Sequence, residues 1–211
     1  MTPRKILLVH GLFMRAMMMM PLAARLRRQG YTCLALTYPT RRQTLRDSVT
    51  AHLPLIQDFA DGMPLHAVGH SLGGLYLRHL LAVWPQGLSG GRVVTLGTPH
   101  LGSKVGAYFR ARGWRRNILG HCWEAGLDGN SPPWDASIPL LSIAGTKSIG
   151  IGSTLRLFAA DEPNDGTVAV AETELPQAAA YHHLPTSHTA LQFDAEAARL
   201  AVAWFQPDTR E

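Results

Sequence analysis

Pro64-Leu65-His66-Ala67-Val68-Gly69-His70-Ser71-Leu72-Gly73-Gly74-Leu75 reads as a strand, a sharp turn and the opening of a helix. The apolar residues 65–68 form the strand approach, and Leu75-Tyr76-Leu77-Arg78-His79-Leu80-Leu81 is rich in helix formers. Ser71 sits at the point of the turn. In a G-x-S-x-G stretch the serine occupies a strained strand-to-helix corner, and Gly69 and Gly73 let the strand and helix pass close together while the hydroxyl projects outward. A glycine-rich helix entry without chemistry is the plain alternative. The strand-and-helix context favours Ser71 as a candidate nucleophile.

Outward from this turn, short β-favouring runs recur at residues 6–9, 31–37, 92–96, 138–144 and 178–184. Helical patterns alternate with them at 17–29, 44–60, 72–84, 103–112 and 193–205, and Pro54 is expected to interrupt or bend the second. This alternation predicts βαβ crossovers and an α/β fold: a mostly parallel, doubly wound sheet with flanking helices. The 211 residues suit one domain, spanning 1–211. Residues 101–137 are irregular and carry three of the five tryptophans; they read as a small cap or lid facing substrate, with a packed surface loop as the alternative. Residues 147–157 are rich in glycine and serine and are expected to be mobile.

A serine hydroxyl needs an adjacent base, and the base needs an acid to hold its tautomer. With an elbow serine the chain order is serine, acid, histidine. Asp165, in the turn Asn164-Asp165-Gly166, and His188, beyond Pro185-Thr186-Ser187, satisfy that order. Asp161 and Glu162 are rivals for the acid, and His183 is second for the base. His66 and His79 fall inside a strand and a helix, and His70 is expected to point away from the serine. Two backbone N–H groups are expected to receive the developing oxyanion: Leu72, directly after the serine, and Leu12, after the first strand and its His10-Gly11 turn.

Gly69-His70-Ser71-Leu72-Gly73-Gly74, with His10-Gly11-Leu12-Phe13 before it and Thr95-Leu96-Gly97-Thr98-Pro99-His100-Leu101-Gly102-Ser103 after it, resembles the lipase/esterase branch of the α/β-hydrolase superfamily. The resemblance covers nearly the whole chain. It implies a Ser71-Asp165-His188 triad, acyl-enzyme chemistry on carboxylic esters and no cofactor. Asn164-Asp165-Gly166-Thr167-Val168 is similar to the acid-bearing segment of bacterial lipases. The chain looks like a minimal hydrolase with a modest cap, short of a large interfacial lid. Acyl transfer or thioester hydrolysis by the same triad is the enzymatic rival, and a non-catalytic ligand-binding module of the same fold is the rival from another class.

Composition bounds the partners. Hydrophobic residues at 46% and charged residues at 17% exclude a disordered chain. The net charge of +5 raises nucleic acid as a partner, but the basic residues are scattered in short clusters without a nucleic-acid motif, so none is expected. Cys33 and Cys122 give neither a disulfide framework nor zinc spacing, and no metal is expected. The apolar run at the start is too short for a signal peptide and no run reaches membrane-spanning length, so a cytoplasmic location is expected. The substrate is expected to be a small-molecule ester or lipid; nothing in the sequence sets the oligomeric state. Met14, Met17, Met18, Met19 and Met20 are expected to form either a soft acyl-binding wall or a buried helix turn. Phe109 and Trp114, among Arg110, Arg112, Arg115 and Arg116, suggest weak contact with an anionic lipid surface.

Overall fold

The computed structural model describes residues 4–112 and 116–206. The chain runs β1 (Lys5–Val9), α1 (Met20–Arg28), β2 (Thr32–Leu36), α2 (Leu45–Ala60), β3 (His66–His70), α3 (Leu72–Val83), β4 (Val93–Leu96), α4 (Lys104–Ala111) and α5 (Arg116–Leu119). It continues with β5 (Leu140–Gly145), α6 (Ile151–Thr154), α7 (Val170–Thr173), β6 (Ala180–Leu184) and α8 (Ala195–Phe205). The six strands form one sheet in the order β2-β1-β3-β4-β5-β6, and every neighbouring pair is parallel. The expected doubly wound sheet is therefore present.

Side chains that alternate along a strand bury against opposite layers. Ile6, Leu8, Val68 and Val94 face α1 and α8, meeting Leu22, Leu26, Ala197, Ala201 and Phe205. Leu7, Val9, Ala67 and Val93 face α2 and α3, meeting Val49, Ile56, Leu75 and Leu80. With both faces covered, β1 and β4 read as near-continuous apolar runs, whereas the edge strand β6 is largely exposed.

Helix α2 runs through Pro54 without a break. Pro54 and Thr50, whose carbonyl loses its partner, are both exposed, so the missing bond lies on the solvated face. Residues 147–157, expected to be mobile, contain the short helix α6 and are tied down by bonds from Lys147 N to Thr186 O (3.1 Å) and from Gly152 N to Gly166 O (2.8 Å). No helix among the described residues is long and apolar enough to cross a membrane.

The order of strands reverses direction between β1 and β3. In a parallel sheet the carboxyl ends at such a switch point open a crevice, and the loop after β1 and the turn after β3 both end there.

Candidate active site

The turn at Ser71 is held by close packing. Ser71 has φ +54° and ψ −121°, a left-handed conformation that costs a non-glycine residue energy and persists only where its surroundings enforce it. Its N–H donates to Leu96 O (2.8 Å), and its carbonyl accepts from Gly74 N–H (3.0 Å) and the Thr98 hydroxyl (2.9 Å). Helix α3 passes so near β1 that a Cβ on Gly73 would stand 2.2 Å from Val9 O. The turn after β1 is equally close: a Cβ on Gly11 would stand 3.0 Å from Ser71 Cβ.

Ser71 Oγ lies 2.9 Å from His188 Nε2, and His188 Nδ1 lies 2.7 Å from Asp165 Oδ2. An ionised carboxylate only accepts, so Nδ1 is the donor; in the neutral ring Nε2 is then the bare nitrogen that accepts the Ser71 hydroxyl proton. Asp165 is buried, and its other oxygen accepts from Thr167 N–H (2.9 Å) and Val168 N–H (2.7 Å). His188 N–H in turn donates to the Asp165 carbonyl (2.9 Å). Such an arrangement can draw a proton from the serine and hold the resulting imidazolium beside a fixed negative charge.

The rivals lie elsewhere. Asp161 is exposed, Glu162 pairs with Lys104, and His182 and His183 are exposed on the edge strand β6. His66 is buried in its strand, and His79 donates from Nε2 to Ala125 O (2.7 Å). His70 turns to the backbone of His188, not to the Ser71 hydroxyl. Its ring lies 5.0 Å from that of His188, and its Nε2 donates to the His188 carbonyl (2.9 Å) because parallel β3 carries the ring inward, under the loop that holds His188. Burial, followed by the charge of His188, lowers its pKa to about 3.

Ser71 and His188 line a cavity of about 210 Å³ together with Leu12 and Leu72. Leu72 opens α3, where a first-turn N–H has no acceptor within the helix. The turn bearing Leu12 is braced from the loop after β2: Tyr38 stacks on His10 at 4.6 Å, and its hydroxyl donates to His10 O (2.9 Å). His10 itself is held neutral by burial, against a smaller opposing effect of its bond to Gly11 O.

Residues 101–137 supply much of the cavity wall, through Val105, Phe109, Ile118, Leu119 and Leu127. Phe109 lines the cavity; Trp114 and Arg115, named with it for contact with a lipid surface, lie outside the described residues. Of the methionine run only Met14 lines the cavity, because Met19 is buried under α1 while Met17 and Met20 are exposed.

Over residues 6–207 the sequence matches the model of the Alpha/beta hydrolase family. The chain belongs to the alpha/beta hydrolase family. A comparison with curated proteins finds no match. Among solved structures, the mature form of Bacillus licheniformis lipase BlEst2 superposes with a TM-score of 0.76 at 22% identity, covering 98% of this chain and 93% of that one. The metagenomic carboxyl esterase MGS0156 gives 0.72 at 15% identity, over 97% of this chain and 75% of that one. A pyrethroid hydrolase from Sphingobium faniae JZ-2 gives 0.64 at 15% identity, over 96% of this chain and 96% of that one. At these identities the likeness is one of fold.

Two features of this alpha/beta hydrolase family member escaped the sequence reading besides the partner of His70. Thr98 reaches back to the Ser71 carbonyl, and Arg78 donates to the carbonyls of His100 (2.7 Å), Ser131 (3.0 Å) and Pro132 (2.7 Å). The one available signal for Arg78 was a cation inside an otherwise apolar helix face.

Proposed function

We propose that the protein is a serine hydrolase that cleaves carboxylic esters through an acyl-enzyme on Ser71, with His188 as general base and acid and Asp165 as its orienting carboxylate. The observation that carries this reading is the unbroken chain from Ser71 Oγ to His188 Nε2 (2.9 Å) and from His188 Nδ1 to Asp165 (2.7 Å), at the wall of an apolar cavity. The hydroxyl oxygen attacks the ester carbonyl carbon as its proton passes to Nε2. The carbonyl oxygen, now an anion, is received by the backbone N–H groups of Leu12 and Leu72, each worth about 3 kcal/mol of barrier. Collapse expels the alcohol, which takes the proton from His188. Water then attacks the acyl-enzyme by the same route and releases the carboxylic acid.

Ser71→Ala is expected to lower kcat on p-nitrophenyl esters by about 10⁴-fold or more while the fold persists, and a fluorophosphonate probe should label the wild type at Ser71 only. Unchanged turnover in Ser71→Ala would sink the reading, and a folded wild type with no adduct would favour a binding module. Thioester and alcohol-acceptor panels run beside the esters separate hydrolysis of esters from acyl transfer.

A further inference from the structure

The cavity at Ser71 has two unlike kinds of lining. Phe13 and Ile151 stand 61% and 45% exposed and mark its open mouth. Leu72, Val105, Leu119 and Leu127 are all buried and make up its floor. The floor is apolar, and the Ser103 hydroxyl beside it is turned to the Gly106 N–H as the cap of α4 (3.0 Å). It therefore suits an alkyl chain and offers little to a polar one.

The floor is also fixed in depth. Leu119 and Leu127 belong to the same core cluster as Tyr38, Leu45 and Tyr76, and His121 N–H donates to Arg41 O (3.1 Å) just behind them. A close-packed wall of this kind resists retreat when a longer ligand presses on it.

Resting on the proposed ester hydrolysis, we infer that this site selects its substrate by the acyl chain, accepting at most roughly six to eight carbons at the ~30 Å³ that a water-sized group occupies. The upper limit is set by the cavity, about 210 Å³ with its mouth included. The acyl chain lies on the buried floor, and the alcohol half of the ester extends through the mouth between Phe13 and Ile151 into solvent. Medium-chain esters of varied alcohols are then the substrate class.

The test is a two-way panel on the wild-type protein. One arm varies the acyl group from acetyl to hexadecanoyl on p-nitrophenol; the other varies the alcohol on a constant hexanoate. Along the acyl arm, kcat/KM is expected to rise about fourfold per methylene as far as hexanoyl to octanoyl, because each buried CH₂ contributes to binding. It should then fall by about tenfold at dodecanoyl, where the chain overfills the floor. Along the alcohol arm it should change by less than about threefold, since solvated groups bind little. Phe109→Ala should move the optimum to longer chains and Val105→Phe to shorter ones, both mainly through KM. A second readout needs no turnover: free carboxylic acids from butanoic to dodecanoic should raise Tm most at six to eight carbons, by linkage.

A profile that climbs through hexadecanoyl, one that peaks at acetyl, or an optimum unmoved by both variants would overturn the inference. So would a Tm shift with no maximum along the acid series. Absence of turnover on every ester, with the Tm maximum present, would instead remove the proposed hydrolysis and leave a site for medium-chain carboxylates.

Discussion

His70 illustrates how much of the site rests on a residue with no part in the proposed proton transfer. Its Nε2 holds the carbonyl of His188, and its Nδ1 has no hydrogen-bond partner among the described residues. Ring and loop are packed together, so the position of the His188 imidazole depends on a main-chain contact from the residue preceding the serine. His70→Leu leaves a buried carbonyl unpaired and is expected to destabilise the protein by about 1–3 kcal/mol. Turnover should fall about tenfold at unchanged KM, and His70→Gln, which keeps an N–H donor, should recover part of it. Denaturant midpoints and steady-state kinetics on both variants check this; wild-type kcat in His70→Leu would remove the positioning role. The partner of His70 is not legible in the sequence, because it depends on the pleat of β3 and on a loop 118 residues later.

At the scale of elements, α3 does two jobs. Its N-terminal end presents Ser71 and Leu72, and its middle holds the carbonyls of His100, Ala125, Ser131 and Pro132 through Arg78 and His79. Arg78 is almost wholly buried, and three carbonyls share its guanidinium in a fan that suits its planar fork. Arg78→Met keeps the bulk but leaves those carbonyls without their donor. It should destabilise the protein by about 3 kcal/mol or more and make residues 128–134 an early site of limited proteolysis. Equal proteolysis rates for the variant and the wild type would contradict this. The strands and main helices were legible because apolar runs and 3.6-residue periodicity are local signals. Residues 120–137 were not: the turns at Ala125, Ser131 and Pro132 are tied by contacts from α3.

Across the whole molecule, the fold buries several histidines in their neutral form. Burial lowers His70 and His100 to about 3, aided by the charges of His188 and Arg78 respectively, and lowers His10 and His79 as well. Between pH 6.5 and about 3 the unfolded chain then binds protons that the folded chain refuses. Stability therefore falls as pH drops through that window and is fully present above it. Each such histidine adds up to about 1.4 kcal/mol per pH unit, so Tm should decline steeply from pH 7 to pH 4.5, and less steeply in His100→Gln. A flat Tm over that range would count against neutral burial.

The sequence by itself determined the alternation of strands and helices, the strained turn at Ser71 and the order of serine, acid and histidine, because backbone sterics and hydrophobic periodicity act between near neighbours. Which acid and which histidine meet the serine was decided only by the tertiary structure. Ser71 and His188 lie 117 residues apart, and the parallel order β3-β4-β5-β6 carries one to the other while leaving His183 exposed on the edge strand. The depth of the cavity was decided in the same way, since a void is a property of surfaces that face each other and no local stretch of chain contains both.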